Sequence, residues 1–256
     1  MSGNPVRLEA LEGGSLWRVF LATPKANILD REKVEALSAI YDRARREPSL
    51  KAVLLEGDGP HFSFGASVQE HLPEQFTAML HGFHGLFYRM LDASVVTLAA
   101  VRGQCLGGGL ELAAFCHRIF AAPSARFGQP EIVLGVFAPA ASVLLTERMT
   151  RGGAEDLLLS GRTLDAAEAQ RLGLVDEVAE DPAHAALDYA RQHLLPRSAS
   201  SLRLAVRAAR AAFGRRFRAE LAEIERSYCE DLMKTSDAVE GLQAFLEKRP
   251  PEWRNA

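Results

Sequence analysis

The sequence is short of cysteine, has no long apolar run and carries no excess of one charge. Three cysteines (Cys105, Cys116, Cys229) make neither an even disulfide framework nor a C-x-x-C pair. A reducing, cytoplasmic compartment is therefore expected. The longest uncharged apolar-rich run, Ile132 to Thr146, covers 15 residues and contains Gly135 and Pro139. A spanning helix needs about 20 apolar residues, so no membrane crossing is expected. The stretch from Met1 to Arg7 lacks the apolar core of a signal peptide. With 30 basic and 33 acidic residues the net charge is −3, which gives no reason to expect nucleic acid as the main partner. There is no low-complexity stretch and no fixed-period repeat. What is present is 256 residues with 48% hydrophobic and 25% charged content, enough for a sizeable core. That mix excludes a disordered, collagen-like or coiled-coil protein.

Val6 to Leu11 and Leu16 to Leu21 are short β-rich runs separated by Glu12-Gly13-Gly14-Ser15, a hairpin signal. Asp30 is a candidate N-cap for a helix whose apolar stripe is Val34, Leu37, Tyr41 and Ala44, ended by Pro48. Ala52 to Leu55 and Val95 to Val101 read as buried strands, with helical character between about residues 72 and 91. A helix begins at Gly107-Gly108-Gly109 and runs through Cys116, and Arg118 to Ala121 and Leu174 to Val178 repeat the strand signal. Alternating strands and helices predict an α/β fold with crossover connections. From about Pro196 the texture becomes purely helical. The expected organisation is an α/β core over 1–195 and a helical C-terminal region over 196–256.

The most informative segment is Gly107-Gly108-Gly109-Leu110-Glu111-Leu112. Three glycines between a strand and a helix expose backbone N–H groups and permit unusual φ. A helix N-terminus adds positive potential, which suits an anion or a developing oxyanion. Close packing of helix on strand accounts for the glycines equally well. There is no G-x-G-x-x-G and no Gly-Lys-Ser/Thr, which excludes dinucleotide and P-loop readings. Glu111 lies in the first turn of an apolar helix, where a carboxylate is costly unless partnered or used. Twenty residues later Glu131 sits in Phe127-Gly128-Gln129-Pro130-Glu131-Ile132. Two such carboxylates, each beside a glycine-bearing turn, point to acid–base work on a bound substrate. Phe62-Ser63-Phe64-Gly65-Ala66-Ser67 follows a buried strand and offers another exposed N–H, or serves as a simple turn.

These segments resemble the enoyl-CoA hydratase/isomerase (crotonase) family, and the resemblance runs over nearly the whole chain. Phe62 to Ser67 is similar to its Phe-Ser-x-Gly-Ala-Asp motif. Gly107 to Leu112 is similar to Gly-Gly-Gly-x-Glu-Leu, and Gly128 to Gly135 to Gly-Gln-Pro-Glu-Ile-x-Leu-Gly. Ala244 to Pro250 resembles the family's ending. The resemblance implies a spiral of repeated ββα units with a helical C-terminal trimerisation region, and a trimer or hexamer. It implies an acyl-CoA thioester substrate, with coenzyme A part of that substrate and no further cofactor. The backbone N–H groups of Ala66 and Gly108 would hold the thioester oxygen, and Glu111 and Glu131 would flank a water molecule. Both carboxylates together favour hydration over isomerisation. Expected substrate contacts are Lys25, Ala26, Phe64, Ser67, Val68, Phe137, Pro139, Phe245 and Lys248, the last from a neighbouring subunit.

Ser67 and Gln69 stand where many relatives have Asp and Lys. The segments Ser63 to Val68 and Gly135 to Ser142 resemble, within the family, hydratases of cyclohexa-1,5-diene-1-carbonyl-CoA from anaerobic benzoyl-CoA degradation. For such a substrate water adds across the far end of the conjugated system, giving 6-hydroxycyclohex-1-ene-1-carbonyl-CoA. Phe64 and Phe137 would then offer apolar surface to the ring, or simply pack in the core. A short-chain 2-enoyl-CoA hydratase or isomerase is the alternative activity.

His81 and His84 share a helical face, but nothing at ligand spacing completes a metal site. Residues 189–219 contain no acid and eight arginines (191, 197, 203, 207, 210, 215, 216 and 218). They read as a solvated face balancing acids elsewhere. Other readings are contacts to CoA phosphates, or an RNA-binding surface in a non-catalytic protein, against which the acidic net charge and lack of interleaved aromatics weigh.

Overall fold

The computed structural model describes residues 4–23 and 25–256. Strands β1 (Val6–Leu11) and β2 (Leu16–Leu21) form the expected antiparallel hairpin, with Val6 opposite Leu21 and Leu11 opposite Leu16. Gly13 (φ 66°) and Gly14 (φ 91°) turn the chain in left-handed backbone. Helix α1 (Arg31–Arg46) starts at Asp30, whose side chain accepts the Lys33 N–H at 3.0 Å. Its stripe of Val34, Leu37, Tyr41 and Ala44 is buried as the spacing predicts. Next come β3 (Ala52–Gly57), α2 (Phe76–Ala93) and β4 (Val96–Val101). Both strands are covered on two faces, which explains their continuous apolar sequence.

After β4 the chain forms β5 (Gln104–Leu106), α3 (Gly108–Phe115), β6 (Arg118–Ala121) and β7 (Arg126–Gly128). Helices α4 (Pro139–Arg148) and α5 (Arg151–Ser160), strand β8 (Thr163–Asp165), helix α6 (Ala166–Arg171) and strand β9 (Glu177–Val178) follow. The main sheet has the order β1-β2-β3-β4-β6-β9, parallel from β2 onward. A second sheet, β5-β7-β8, stands beside it. Its strands have three residues each, too short to show a period of two. The strand read over Leu174 to Val178 is confined to Glu177–Val178. Gly173 (φ 90°) reverses the chain after α6, and the Leu174 and Val175 N–H groups both donate to the Ala169 carbonyl.

The C-terminal region consists of α7 (Pro182–Tyr189), α8 (Ala199–Ala209), α9 (Ala211–Glu230) and α10 (Ser236–Glu247). It shares the core of the α/β part. Phe217 and Leu221 of α9 are fully buried among Phe87, Phe115 and Leu144. The Arg203 guanidinium donates to the Ala44 carbonyl at 2.8 Å and the Ala93 carbonyl at 2.9 Å, tying α8 to the C-terminal ends of α1 and α2. Arg191 pairs with Glu12, Arg216 with Glu147 and Arg218 with Asp92. Half of the arginine-rich stretch thus fastens tail to core. Among the described residues no helix is long and apolar enough to cross a membrane.

Candidate active site

Short-range pairing assembles the site. Ser63 N–H donates to the Gln104 carbonyl at 3.0 Å, and Leu106 N–H returns a 3.0 Å bond to the Ser63 carbonyl. This lays the 63–66 loop against the end of β5. The buried Ser63 hydroxyl donates to the Asn27 carbonyl at 2.8 Å and accepts the Gly65 N–H at 3.0 Å. The parallel pairing of Leu106 with Gly128 then sets Gly107 beside the turn that carries Glu131.

The three glycines of 107–109 have three different reasons. Gly107 has φ 51° and ψ −129°, and a methyl there would sit 2.7 Å from Glu131 Oε1. Gly109 is close packing: a methyl would meet the Ser63 side chain at 2.7 Å. Gly108 opens α3, so its N–H has no intrahelical acceptor. A methyl on Gly108 would lie 3.2 Å from the Ala66 nitrogen, and one on Gly65 would lie 3.2 Å from the Gly108 nitrogen. The two N–H groups are therefore neighbours. Among the described residues neither finds a backbone or side-chain acceptor. Gly65 (φ 101°) supplies the left-handed turn that exposes the Ala66 N–H. Two adjacent free donors at a helix N-terminus are a receptor for a carbonyl oxygen gaining negative charge.

The glutamates differ in their surroundings. Glu111, 5% exposed, accepts the Ala141 N–H at 2.7 Å through Oε1. Ala141 is in the first turn of α4, which Pro139 opens, so Glu111 faces the positive end of that helix. Burial raises the Glu111 carboxyl, opposed by His84 and by the N–H groups of Ala141 and Ala140. Glu131 lies on the 3-10 turn Pro130–Leu134, and its Oε2 is sealed from solvent with no partner among the described residues. Burial, then the charge of Glu111, pushes it up to about 8. The environments drive the two apart. Burial raises both carboxyls, and the Ala141 N–H at 2.7 Å favours the ionised form of Glu111.

Of the other expected contacts, Val68 and Phe137 share an apolar cluster with Leu80, Val136 and Tyr228 under the C-terminal helices. Phe64 is 39% exposed beside Gly65, and Ala26 accepts its N–H at 2.9 Å, so the 26 and 64 loops meet. Ser67 precedes a 3-10 turn, and its carbonyl is 2.7 Å from the His71 ring. Pro139 is buried at the start of α4 and acts through the N–H groups behind it. Lys25 is exposed. Phe245 stands 54% exposed on α10, and Lys248 is that helix's left-handed C-cap (φ 56°). Within one chain neither joins the cluster around the glutamates.

The packing partners of two groups were not legible in the sequence. His84 is 2% exposed, and its Nδ1 bonds to Glu225 on α9, whose other oxygen takes His81 Nε2 at 2.9 Å. The i, i+3 histidine pair is thus a carboxylate clamp between α2 and α9, and through it His84 acts on Glu111. Among the described residues no metal-ligating cluster occurs. Tyr228 of α9 is 1% exposed and its hydroxyl is raised by burial and by the charges of Glu131 and Glu111. Neither partner helix is adjacent in sequence, so no local spacing could have signalled these contacts.

The enoyl-CoA hydratase/isomerase family model matches residues 12–256. The chain is 54% identical to a cyclohexa-1,5-dienecarbonyl-CoA hydratase from Thauera aromatica over 254 residues, covering 99% of this chain and 98% of that protein. It is 37% identical to a probable enoyl-CoA hydratase from Mycobacterium leprae, covering 92% and 93% respectively. A crystal structure of an enoyl-CoA hydratase/isomerase from Pseudoalteromonas atlantica superposes with a TM-score of 0.86 at 27% identity, over 97% of this chain and 99% of that one. By motif, fold and full-length similarity, the chain belongs to the enoyl-CoA hydratase/isomerase family.

Proposed function

We propose that the chain hydrates a conjugated cyclic dienoyl-CoA, cyclohexa-1,5-diene-1-carbonyl-CoA, to 6-hydroxycyclohex-1-ene-1-carbonyl-CoA. The observation that carries hydration is the glutamate pair, Glu111 bonded to the N-terminus of α4 and Glu131 raised by burial to about 8, beside two free N–H donors. The ring is supported by the 54% identity to the Thauera aromatica hydratase.

The thioester oxygen accepts hydrogen bonds from Ala66 and Gly108. Glu111 takes a proton from water, and the water oxygen bonds to ring carbon C2, β to the thioester carbonyl. Only attack there sends the electron pair onto the thioester oxygen. The resulting dienolate extends through C1 and C6 to C5, and Glu131 gives its proton to C5. The remaining double bond becomes C1–C6, and renumbering the ring yields the 6-hydroxy-1-ene. In the far-end addition, then, it is the proton that goes to the far end. A proton passing from Glu111 to Glu131 resets the pair. An ordinary 2-enoyl thioester differs only in taking its proton at the carbon next to the carbonyl.

The test is direct competition between the cyclic dienoyl-CoA and crotonyl-CoA, since preference is a ratio of kcat/KM values. The cyclic diene is expected to win by at least about tenfold, about 1.4 kcal/mol in transition-state stabilisation. Equal or better use of crotonyl-CoA makes the protein a short-chain 2-enoyl-CoA hydratase instead. We also infer a homotrimer or hexamer, in keeping with the exposed Leu159 (72%) and Leu204 (61%).

A further inference from the structure

Tyr228 of α9 lies in the apolar cluster with Val136 and Phe137, its hydroxyl sealed from solvent and without a hydrogen-bond partner among the described residues. Its ring is fixed edge-on against Phe137 at 5.2 Å and tilted against Phe76 at 6.2 Å. The Val136 N–H, next to Phe137, donates to the Glu131 carbonyl at 3.1 Å, so the segment that carries Glu131 also holds the phenol ring. The hydroxyl lies in the field of both glutamates, Glu131 more than Glu111. Burial first, then those charges, raises the phenol, so it stays a hydrogen-bond donor at every pH the enzyme would meet. Glu131 Oε2 is likewise buried and unpartnered among the described residues.

An unmade hydrogen bond on a buried polar atom costs about 1–3 kcal/mol. A small polar group that met both atoms would satisfy both, and a water molecule or a ring hydroxyl is of that size. We propose that the Tyr228 hydroxyl is a third contact to the reacting oxygen, donating to the water as it attacks and to the hydroxyl it becomes. As Glu111 withdraws the proton, the oxygen gains hydroxide character, and a fixed donor stabilises that charge. In the reverse direction the same donor assists departure of the hydroxyl. This rests on the hydration reading above.

The experiment compares Tyr228→Phe with the wild-type full-length protein in turnover and in binding. Turnover is measured on both the cyclic dienoyl-CoA and crotonyl-CoA. Binding is measured for two unreactive saturated thioesters that differ by one hydroxyl, cyclohexane-1-carbonyl-CoA and 2-hydroxycyclohexane-1-carbonyl-CoA. Tyr228→Phe is expected to lose at least about tenfold in kcat on the thioester the wild type uses best, the low end for one oxyanion-type donor being larger still. KM should move less than about threefold, and the wild-type preference for the hydroxylated analogue should vanish. Its thermal midpoint should equal or exceed that of the wild type, because no protein hydrogen bond is removed. Phe76→Leu loosens the same packing while keeping the hydroxyl, and should retain the analogue preference. A kcat within twofold of wild type together with an intact analogue preference overturns the proposal. So does a shifted alkaline limb of the pH profile with the preference intact, which would mean that Tyr228 acts on Glu131 alone. Wild-type preference for crotonyl-CoA overturns the ring substrate but leaves the Tyr228 comparison readable on crotonyl-CoA.

Discussion

Replacing Glu131 by glutamine should stabilise the protein at alkaline pH while disabling it. The Glu131 carboxyl is pushed from 4.5 up to about 8 by burial and by Glu111. A group whose folded pKa lies above its unfolded one holds its proton preferentially in the folded state. Its contribution is fully present below about 4.5, is lost as pH rises to about 8, and is flat beyond that. At 1.36 kcal/mol per pH unit, the ceiling on that loss is about 5 kcal/mol. Water entry and relaxation around the charged form lower what is realised, and at least about 1.5 kcal/mol is expected to remain. Glutamine has nearly the same shape and never ionises. The stability of Glu131→Gln relative to wild type should therefore climb between pH 4.5 and 8 and level off above. For a chain of this size the gain at pH 9 is about 3–6 °C in thermal midpoint. Urea unfolding at fixed protein concentration, at half-unit steps of pH, measures it. A difference between the two proteins that stays constant across the window, or falls, would refute the assignment of Glu131 as the proton-bearing partner.

Both Glu111→Gln and Glu131→Gln should fold and lose at least about 10²-fold in kcat, the low end for general acid–base catalysis; near-normal turnover removes that residue from the mechanism. Gly65→Ala places a methyl 2.8 Å from the Leu106 carbonyl and 3.2 Å from the Gly108 nitrogen at φ 101°, and should cost about 10²–10³ in kcat by spoiling the donor pair. His84→Gln removes the group that pulls Glu111 down against burial, so the acidic limb of kcat/KM should move to higher pH; an unmoved limb would refute that role. Deleting residues 198–256 strips Phe217 and Leu221 from the core and the Arg203 clamp from α1 and α2, so aggregation is expected and a monodisperse active product would contradict it. The intact protein should elute as a trimer or larger in size-exclusion chromatography with light scattering.

The sequence alone determined whatever is encoded within one or two turns of chain. The Asp30 cap, the stripe of α1, the doubly buried strands β3 and β4 and the hairpin are local patterns of spacing, and each element formed where its pattern lies. The glycine turns and the two glutamates were also legible, because positive φ and a carboxylate in an apolar run are written in residue type. Other features depended on elements brought together from far apart. The three-residue strands β5, β7 and β8 exist only by pairing with each other, and that pairing presses Gly107 against Glu131. The rise of the Glu111 carboxyl is opposed by the N-terminus of α4 and by His84, neither of which is near Glu111 in sequence. Tyr228 packs against Phe137 because α9 folds back over that segment, and a tyrosine in an amphipathic helix looks the same whether it meets solvent or an apolar cluster. Residue type sets what a group is able to do; its protonation state and its partners are set by dielectric and distance, which only the tertiary packing decides.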